Sequence, residues 1–156
     1  MVRQPGDGSC LFHSLSYGLG EGNAASLRER VAAYVEASPS TCIGGSAIKD
    51  WVQWDSGLTP SAYARRMRGE GQWGGAIEIA ITCKLAGVAV HVFEPAGSAG
   101  GFRCISTFAP DEDESAGSAA ESRASGAGVP GGAAARTRRT VRLLYGGRVH
   151  YDALVV

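Results

Sequence analysis

Gly6-Asp7-Gly8-Ser9-Cys10-Leu11-Phe12-His13-Ser14-Leu15 carries a glycine-hinged turn straight into an apolar run. Leu11, Leu15 and Leu19 recur at the spacing of one helix face, which predicts a first helix with its apolar stripe turned inward, ended by Gly18, Gly20 and Gly22. Cys10 then stands at the start of that helix. There, unpaired N–H groups and the helix dipole favour a thiolate over a thiol, and the flanking glycines let backbone donors approach a developing oxyanion. A nucleophile would be built in such a place.

Outward from this turn, Ser26-Leu27-Arg28-Glu29 has the form of a capping box, and Leu27, Val31, Tyr34 and Val35 follow as a helical stripe ending near Ser38-Pro39. Ile48, Trp51 and Val52 suggest a short third helix. Thr59-Pro60 offers a cap and a favoured first-turn proline for a fourth, with Tyr63 and Met67 on its packed face. Gly71-Gln72-Trp73-Gly74-Gly75 reads as a loop, and residues 76–86 as a helix through Ile77, Ile81 and Leu85, stopped by Gly87. The later chain is strand-like: the β-branched run 88–93, its partner 102–108 across a glycine-rich turn, and a hairpin of 141–145 and 149–155 around Gly146-Gly147-Arg148. Helices first and strands later imply an α+β domain.

Composition narrows the function. The 156 residues, 44% apolar, suffice for one domain with a real core. Fifteen basic residues balance fifteen acidic ones, so no global field draws the chain to nucleic acid or an anionic membrane. No apolar run is long enough to span a bilayer, and Met1-Val2-Arg3-Gln4-Pro5 has no hydrophobic core of the signal-peptide kind; a cytosolic, reducing setting is expected. Cys10, Cys42, Cys83 and Cys104 are far apart, with no C-x-x-C pair, and the three histidines are scattered, which argues against a zinc site. Most of these thiols are expected to be buried small hydrophobes. From Pro110 to Thr140 the grammar changes. Asp111-Glu112-Asp113-Glu114 precedes a stretch, 115–135, in which 17 of 21 residues are Gly, Ala or Ser, too poor in apolar side chains to build a core. A disordered insertion at 110–140 is expected, ending in the basic cluster Arg136, Arg138 and Arg139, read as a solvated flank.

His150 and Asp152 lie two apart on a predicted strand, so they share a face while Tyr151 points the other way. Asp152 is placed to orient one imidazole nitrogen and leave the other for the Cys10 thiol, which completes a Cys-His-Asp set. His13, three residues beyond Cys10, is read as packing or solvent-facing, because a helical cysteine leans back toward the N-terminus and away from the turn that carries His13. His91, between Val90 and Val92, reads as a structural histidine.

Three segments in order resemble one family, the ovarian-tumour (OTU) deubiquitinases, papain-like cysteine proteases that cleave isopeptide bonds at the ubiquitin C-terminus. Gly6 to Phe12 looks like the nucleophile segment, Tyr63, Met67 and Trp73-Gly74-Gly75 with Glu78 like the central motif, and His150-Tyr151-Asp152 like the closing motif. The resemblance implies a papain-like OTU fold over 1–156, with a small, mostly antiparallel central sheet flanked by helices. It implies Cys10 as nucleophile, His150 as general base, Asp152 as its orienting carboxylate and Asp7 as the residue that shapes the oxyanion loop. Trp73, Gly74 and Gly75 would line the channel for ubiquitin's diglycine tail, and Glu78 would be structural. Ser9 stands where the family often has asparagine. Five residues before Gly6 and four after Asp152 are fewer than the family usually has, as in a trimmed domain. The implied protein is a cofactor-free and metal-free monomer of the cytoplasm or nucleus, acting on ubiquitin or polyubiquitin chains and on neither nucleic acid nor membrane. A weak ubiquitin-binding module, or a cysteine protease for another ubiquitin-like modifier, are the alternatives.

Overall fold

The computed structural model describes residues 1–110, 138–147 and 149–155. Five helices, α1 (Cys10–Leu19), α2 (Ala24–Ala37), α3 (Ile48–Ser56), α4 (Pro60–Arg68) and α5 (Ala76–Ala86), accompany a four-stranded sheet of β3 (Ala89–Pro95), β4 (Phe102–Phe108), β5 (Thr140–Gly146) and β6 (His150–Ala153), on which α1 and α5 pack. A two-stranded ribbon of β1 (Cys42–Ile43) and β2 (Ser46–Ala47), unforeseen in the sequence, precedes α3. The sheet order is β4-β3-β5-β6: β3–β4 and β5–β6 pair antiparallel, and β3–β5 parallel, with Val90 opposite Val141 and Val92 opposite Leu143. This is the expected α+β arrangement, with one parallel pairing at its centre.

Local sequence explains most boundaries. Thr59 caps α4 by accepting from Ala62 N at 3.2 Å, as its Thr-Pro signature predicts. The capping box expected at Ser26 is not formed: α2 starts earlier, and the Asn23 side chain accepts from Ser26 N at 2.8 Å. Gly18 does not end α1 either, since the helix runs to Leu19 and is closed by Gly20 at φ +68°. A Cβ on Gly18 would lie 2.4 Å from Val141 Cγ1, so the glycine is what lets β5 seat against α1. Arg139, read as a solvated flank, donates from Nη2 to Gly18 O at 2.9 Å, toward the electronegative end of α1. Arg136 and the 110–140 insertion fall almost wholly outside the described residues.

One core joins the predicted stripes. Leu11, Phe12 and Leu15 of α1, Val31 and Val35 of α2, Ile48 and Val52 of α3, Tyr63 and Met67 of α4, Ile77 and Ile81 of α5, and Val90, Val92, Val141 and Leu143 of the sheet are all buried. Of the cysteines, only Cys10 and Cys83 are buried; Cys42 and Cys104 are exposed, against the expectation for them. Burial pushes the Cys83 thiol up to about 11, which makes it inert. No described helix is long and apolar enough to cross a membrane.

What the fold does for the site is hold its two ends together. α1 packs on β5 and β6, and Ser14 Oγ donates to Tyr151 O at 3.0 Å. The residues just ahead of the nucleophile turn pair with the last strand: Val2 N donates to Ala153 O at 2.7 Å and Ala153 N to Val2 O at 3.1 Å.

Candidate active site

Cys10 opens α1, 7% exposed, behind Gly8, whose φ of +82° only glycine adopts at ease. A Cβ on Gly8 would lie 2.4 Å from Gly71 Cα, so this turn rests directly on the backbone of the loop after α4. Asp7 organises the turn. Its Oδ1 accepts from Ser9 N at 2.9 Å and its Oδ2 from His13 Nε2 at 2.9 Å. The bond from His13, then that from Ser9, holds the Asp7 carboxyl below the usual carboxylate range. His13 therefore neither packs in the core nor merely faces solvent: one turn along α1 from Cys10, it steadies Asp7 from outside.

At the other end of the chain, His150 Nε2 donates to Asp152 Oδ1 at 3.0 Å, which leaves Nδ1 as the free imidazole nitrogen. The same Oδ1 accepts from Gln4 N at 2.8 Å. Thus Asp152 is itself oriented by a backbone donor from the segment that leads into the nucleophile turn. No sequence signal marks Gln4, because the group it supplies is an N–H that almost every residue has.

Cys10 lines a cleft of about 230 Å³ together with Gly8, Leu11, Trp73, Gly74, Gly75, Tyr145, Val149 and Tyr151. The structure thus brings Cys10 together with Trp73, Gly74 and Gly75, and His150 together with Asp152. It joins the two groups through α1 on β6, and it does not set His150 in the cleft wall. Val149 and Tyr151, which flank His150 in sequence, both line the cleft, so His150 stands beside it. Tyr151 packs on Tyr145 with ring centres 5.0 Å apart, and burial above all pushes its phenol up to about 12.

The three residues of the central loop differ in physical role. Trp73 is 61% exposed, so its indole is not part of the core. A Cβ on Gly74 would come within 2.8 Å of Leu11 Cδ2 and 3.2 Å of Phe12 Cε2, so its bareness serves the fit of the loop on α1. A Cβ on Gly75 would meet nothing within 4 Å. Glu78 fixes the loop from below: buried, it accepts from Gly75 N on Oε2 at 2.6 Å and from Tyr63 OH on Oε1 at 2.6 Å. Burial raises its carboxyl pKa, and those two bonds work against the rise. Among the described residues no group of three or more His, Cys, Asp or Glu is placed to hold a metal ion.

The Asp7 geometry yields a prediction. Asp7→Ala frees the Ser9 N–H and is expected to lower kcat by about tenfold or more, whereas His13→Ala leaves the Asp7–Ser9 bond standing and costs less rate. Because the Asp7 pKa is depressed on folding, its hold is complete above the ordinary carboxylate range and is lost as pH falls through the lowered value. Steady-state kinetics of the two variants at neutral pH check the first statement, and wild-type rates followed to well below pH 3.8, the ordinary Asp value, check the second. Equal loss in the two variants would mean that the ion pair, not the Ser9 bond, matters.

Comparison with known proteins shows the family and the fold. Residues 5–119 match the family described as OTU-like cysteine protease, a span that holds the nucleophile turn and the central loop and stops short of β6. The chain is 33% identical over 92 residues to the ubiquitin thioesterase OTU1 of Saccharomyces cerevisiae, covering 56% of this chain and 27% of that protein. It is 26% identical over 159 residues to the RNA-directed RNA polymerase L of Crimean-Congo hemorrhagic fever virus, covering 99% of this chain and 3% of that protein. The chain therefore spans only a small part of these relatives. In fold it is similar to an OTU deubiquitinase from Wolbachia pipientis solved bound to ubiquitin, with a TM-score of 0.65 at 20% identity, over 99% of this chain and 93% of that one.

Proposed function

The chain belongs to the family of OTU-like cysteine proteases, and on that premise we propose that it is a thiol-dependent deubiquitinase that hydrolyses isopeptide bonds at the C-terminus of ubiquitin. The observation that carries the reading is the His150–Asp152 bond, which engages Nε2 and leaves Nδ1 free on a strand packed against the helix that Cys10 opens. In the proposed reaction His150 Nδ1 takes the Cys10 proton and Sγ attacks the carbonyl carbon of ubiquitin's last glycine. The oxyanion forms against the N–H groups at the start of α1. His150 then returns its proton to the departing lysine amine, and water, activated by the same imidazole, hydrolyses the thioester. The scheme requires His150 to reach the thiol when substrate is bound, since catalytic hydrogen bonds often tighten only in the substrate complex.

Trp73, Gly74 and Gly75 are the proposed walls for the diglycine tail. The globular part of ubiquitin would dock outside the cleft, where exposed Trp54 and Trp73 offer apolar surface. The enzyme is proposed to act as a monomer in a reducing compartment, on ubiquitin or its chains. A ubiquitin derivative with an electrophilic C-terminus is expected to label wild type at Cys10 and not Cys10→Ala, and a short peptide with the same tail is expected to be cut slowly or not at all. Labelling by another diglycine-tailed modifier but not by ubiquitin would transfer the reading to that modifier. Efficient cleavage of the short peptide would refute dependence on the globular part.

A further inference from the structure

Arg28 is the most buried cation described, 6% exposed, on the face of α2 that also carries Val31 and Val35. Its bonded partners are all neutral. Nη1 donates to Met67 O at 2.8 Å and lies 3.5 Å from Met67 Sδ; Nη2 donates to Ser9 Oγ at 2.9 Å and to Gly8 O at 3.2 Å; the guanidinium lies 4.4 Å from the centre of the Phe12 ring. A buried charge with no carboxylate bonded to it is costly to maintain, and a leucine or methionine would pack this stripe more cheaply. What the arginine adds is its grip on the turn before Cys10.

That grip is specific to one peptide unit. Gly8 O and Ser9 N belong to the same peptide, and while Arg28 holds the oxygen, Asp7 Oδ1 holds the N–H at 2.9 Å. A peptide beside a glycine at φ +82° turns easily, and one pinned at both ends does not. Arg28 also occupies Ser9 Oγ. A serine at the N-cap ordinarily accepts from the N–H groups of the first helical turn, yet here the Ser9 side chain makes no capping bond to α1.

We propose that Arg28 is a positioning residue for the oxyanion loop: by fixing the Gly8–Ser9 peptide against Asp7, it holds the turn ahead of Cys10 in the conformation in which the N–H groups there meet the tetrahedral intermediate. The inference rests on Cys10 being the acylated nucleophile of the proposed function, and it holds for any acyl substrate. It also gives Ser9, where the family often has asparagine, a defined task.

The test separates two reactions of one thiol. Alkylation of Cys10 by iodoacetamide passes through no oxyanion, whereas acylation of Cys10 by p-nitrophenyl acetate does. Both are read per cysteine by mass spectrometry on the full chain, as wild type, Arg28→Met and Arg28→Lys, beside release of a fluorophore from the ubiquitin C-terminus. In Arg28→Met, acylation and ubiquitin turnover are expected to fall by about tenfold or more, with KM little changed and alkylation kept within about threefold. Lysine, a single point donor, cannot hold Met67 O and Gly8 O together, so Arg28→Lys is expected to fall between the two, and it carries the test should the methionine variant not fold. Parallel loss of alkylation and acylation, no loss of either, or acylation at the wild-type rate in folded Arg28→Lys would overturn the proposal. So would a wild-type Cys10 that p-nitrophenyl acetate never acylates. If the split holds while wild type ignores ubiquitin, the substrate reading fails and the role of Arg28 stands.

Discussion

Cys10→Ala is expected to abolish turnover, on the order of 10⁵-fold or more in kcat, and His150→Ala to come close to it. The double variant should be no worse than either single one, because a nucleophile and its base act as a unit and not as additive contributions. Stability should hardly move: Cys10 is small and at the end of a helix, so the cost is about 1 kcal/mol. Single-turnover kinetics and thermal melts on the three variants decide the matter. A folded His150→Ala that kept activity, with His13→Ala dead, would overturn the assignment. The structure already gives His13 another occupation, on Asp7.

Glu78→Ala is expected to produce the largest loss of stability of any single change near the site. The substitution would leave the buried Tyr63 OH and the half-buried Gly75 N without the carboxylate that both address. Each donor left unsatisfied costs about 1–3 kcal/mol, which for the two together is a fall in Tm of roughly 5 °C or more for a domain of this size. Glu78→Gln keeps an acceptor for only one of the two donors and should fall between. The sign of the pH dependence is opposite to that at Asp7. Burial raises the Glu78 pKa, so the folded state keeps a proton that the unfolded chain has released, and its stabilising contribution declines as pH rises from the ordinary carboxylate range toward the raised value. The advantage of wild type over Glu78→Gln should therefore shrink with rising pH in denaturant melts; an advantage that grew with pH would contradict the assignment.

Much of this was legible in the sequence where a local rule governs. The leucine spacing of α1, the Thr-Pro start of α4 and the glycine that closes α5 each act through neighbours a few residues away, and each element formed as read. His150 and Asp152 were legible because strand alternation alone puts them on one side. What escaped was non-local. The parallel β3–β5 pairing is set by side chains more than forty residues apart, with a span of alanine and glycine between them. Asn23 won the α2 cap over Ser26 because both have capping side chains, and only the packing of Ala24 and Leu27 decides which turn comes first. Arg28 did leave a trace, a charge in register with Val31 and Val35, and in a stripe otherwise bound for the core such a residue has to be answered by partners elsewhere in the chain.

The bond from Gln4 to Asp152 spans 148 positions and that from Ser14 to Tyr151 spans 137. On a ribosome, which releases a chain from its beginning, the helix that Cys10 opens emerges long before the strand that brings the imidazole. Closure of so long a loop is also the slow, entropically expensive part of reaching the native topology. Throughout that interval Cys10 lacks the base proposed for it. Under the proposed mechanism the connectivity is therefore a clock: a chain stopped before β6 would hold Cys10 without the imidazole that is proposed to activate it.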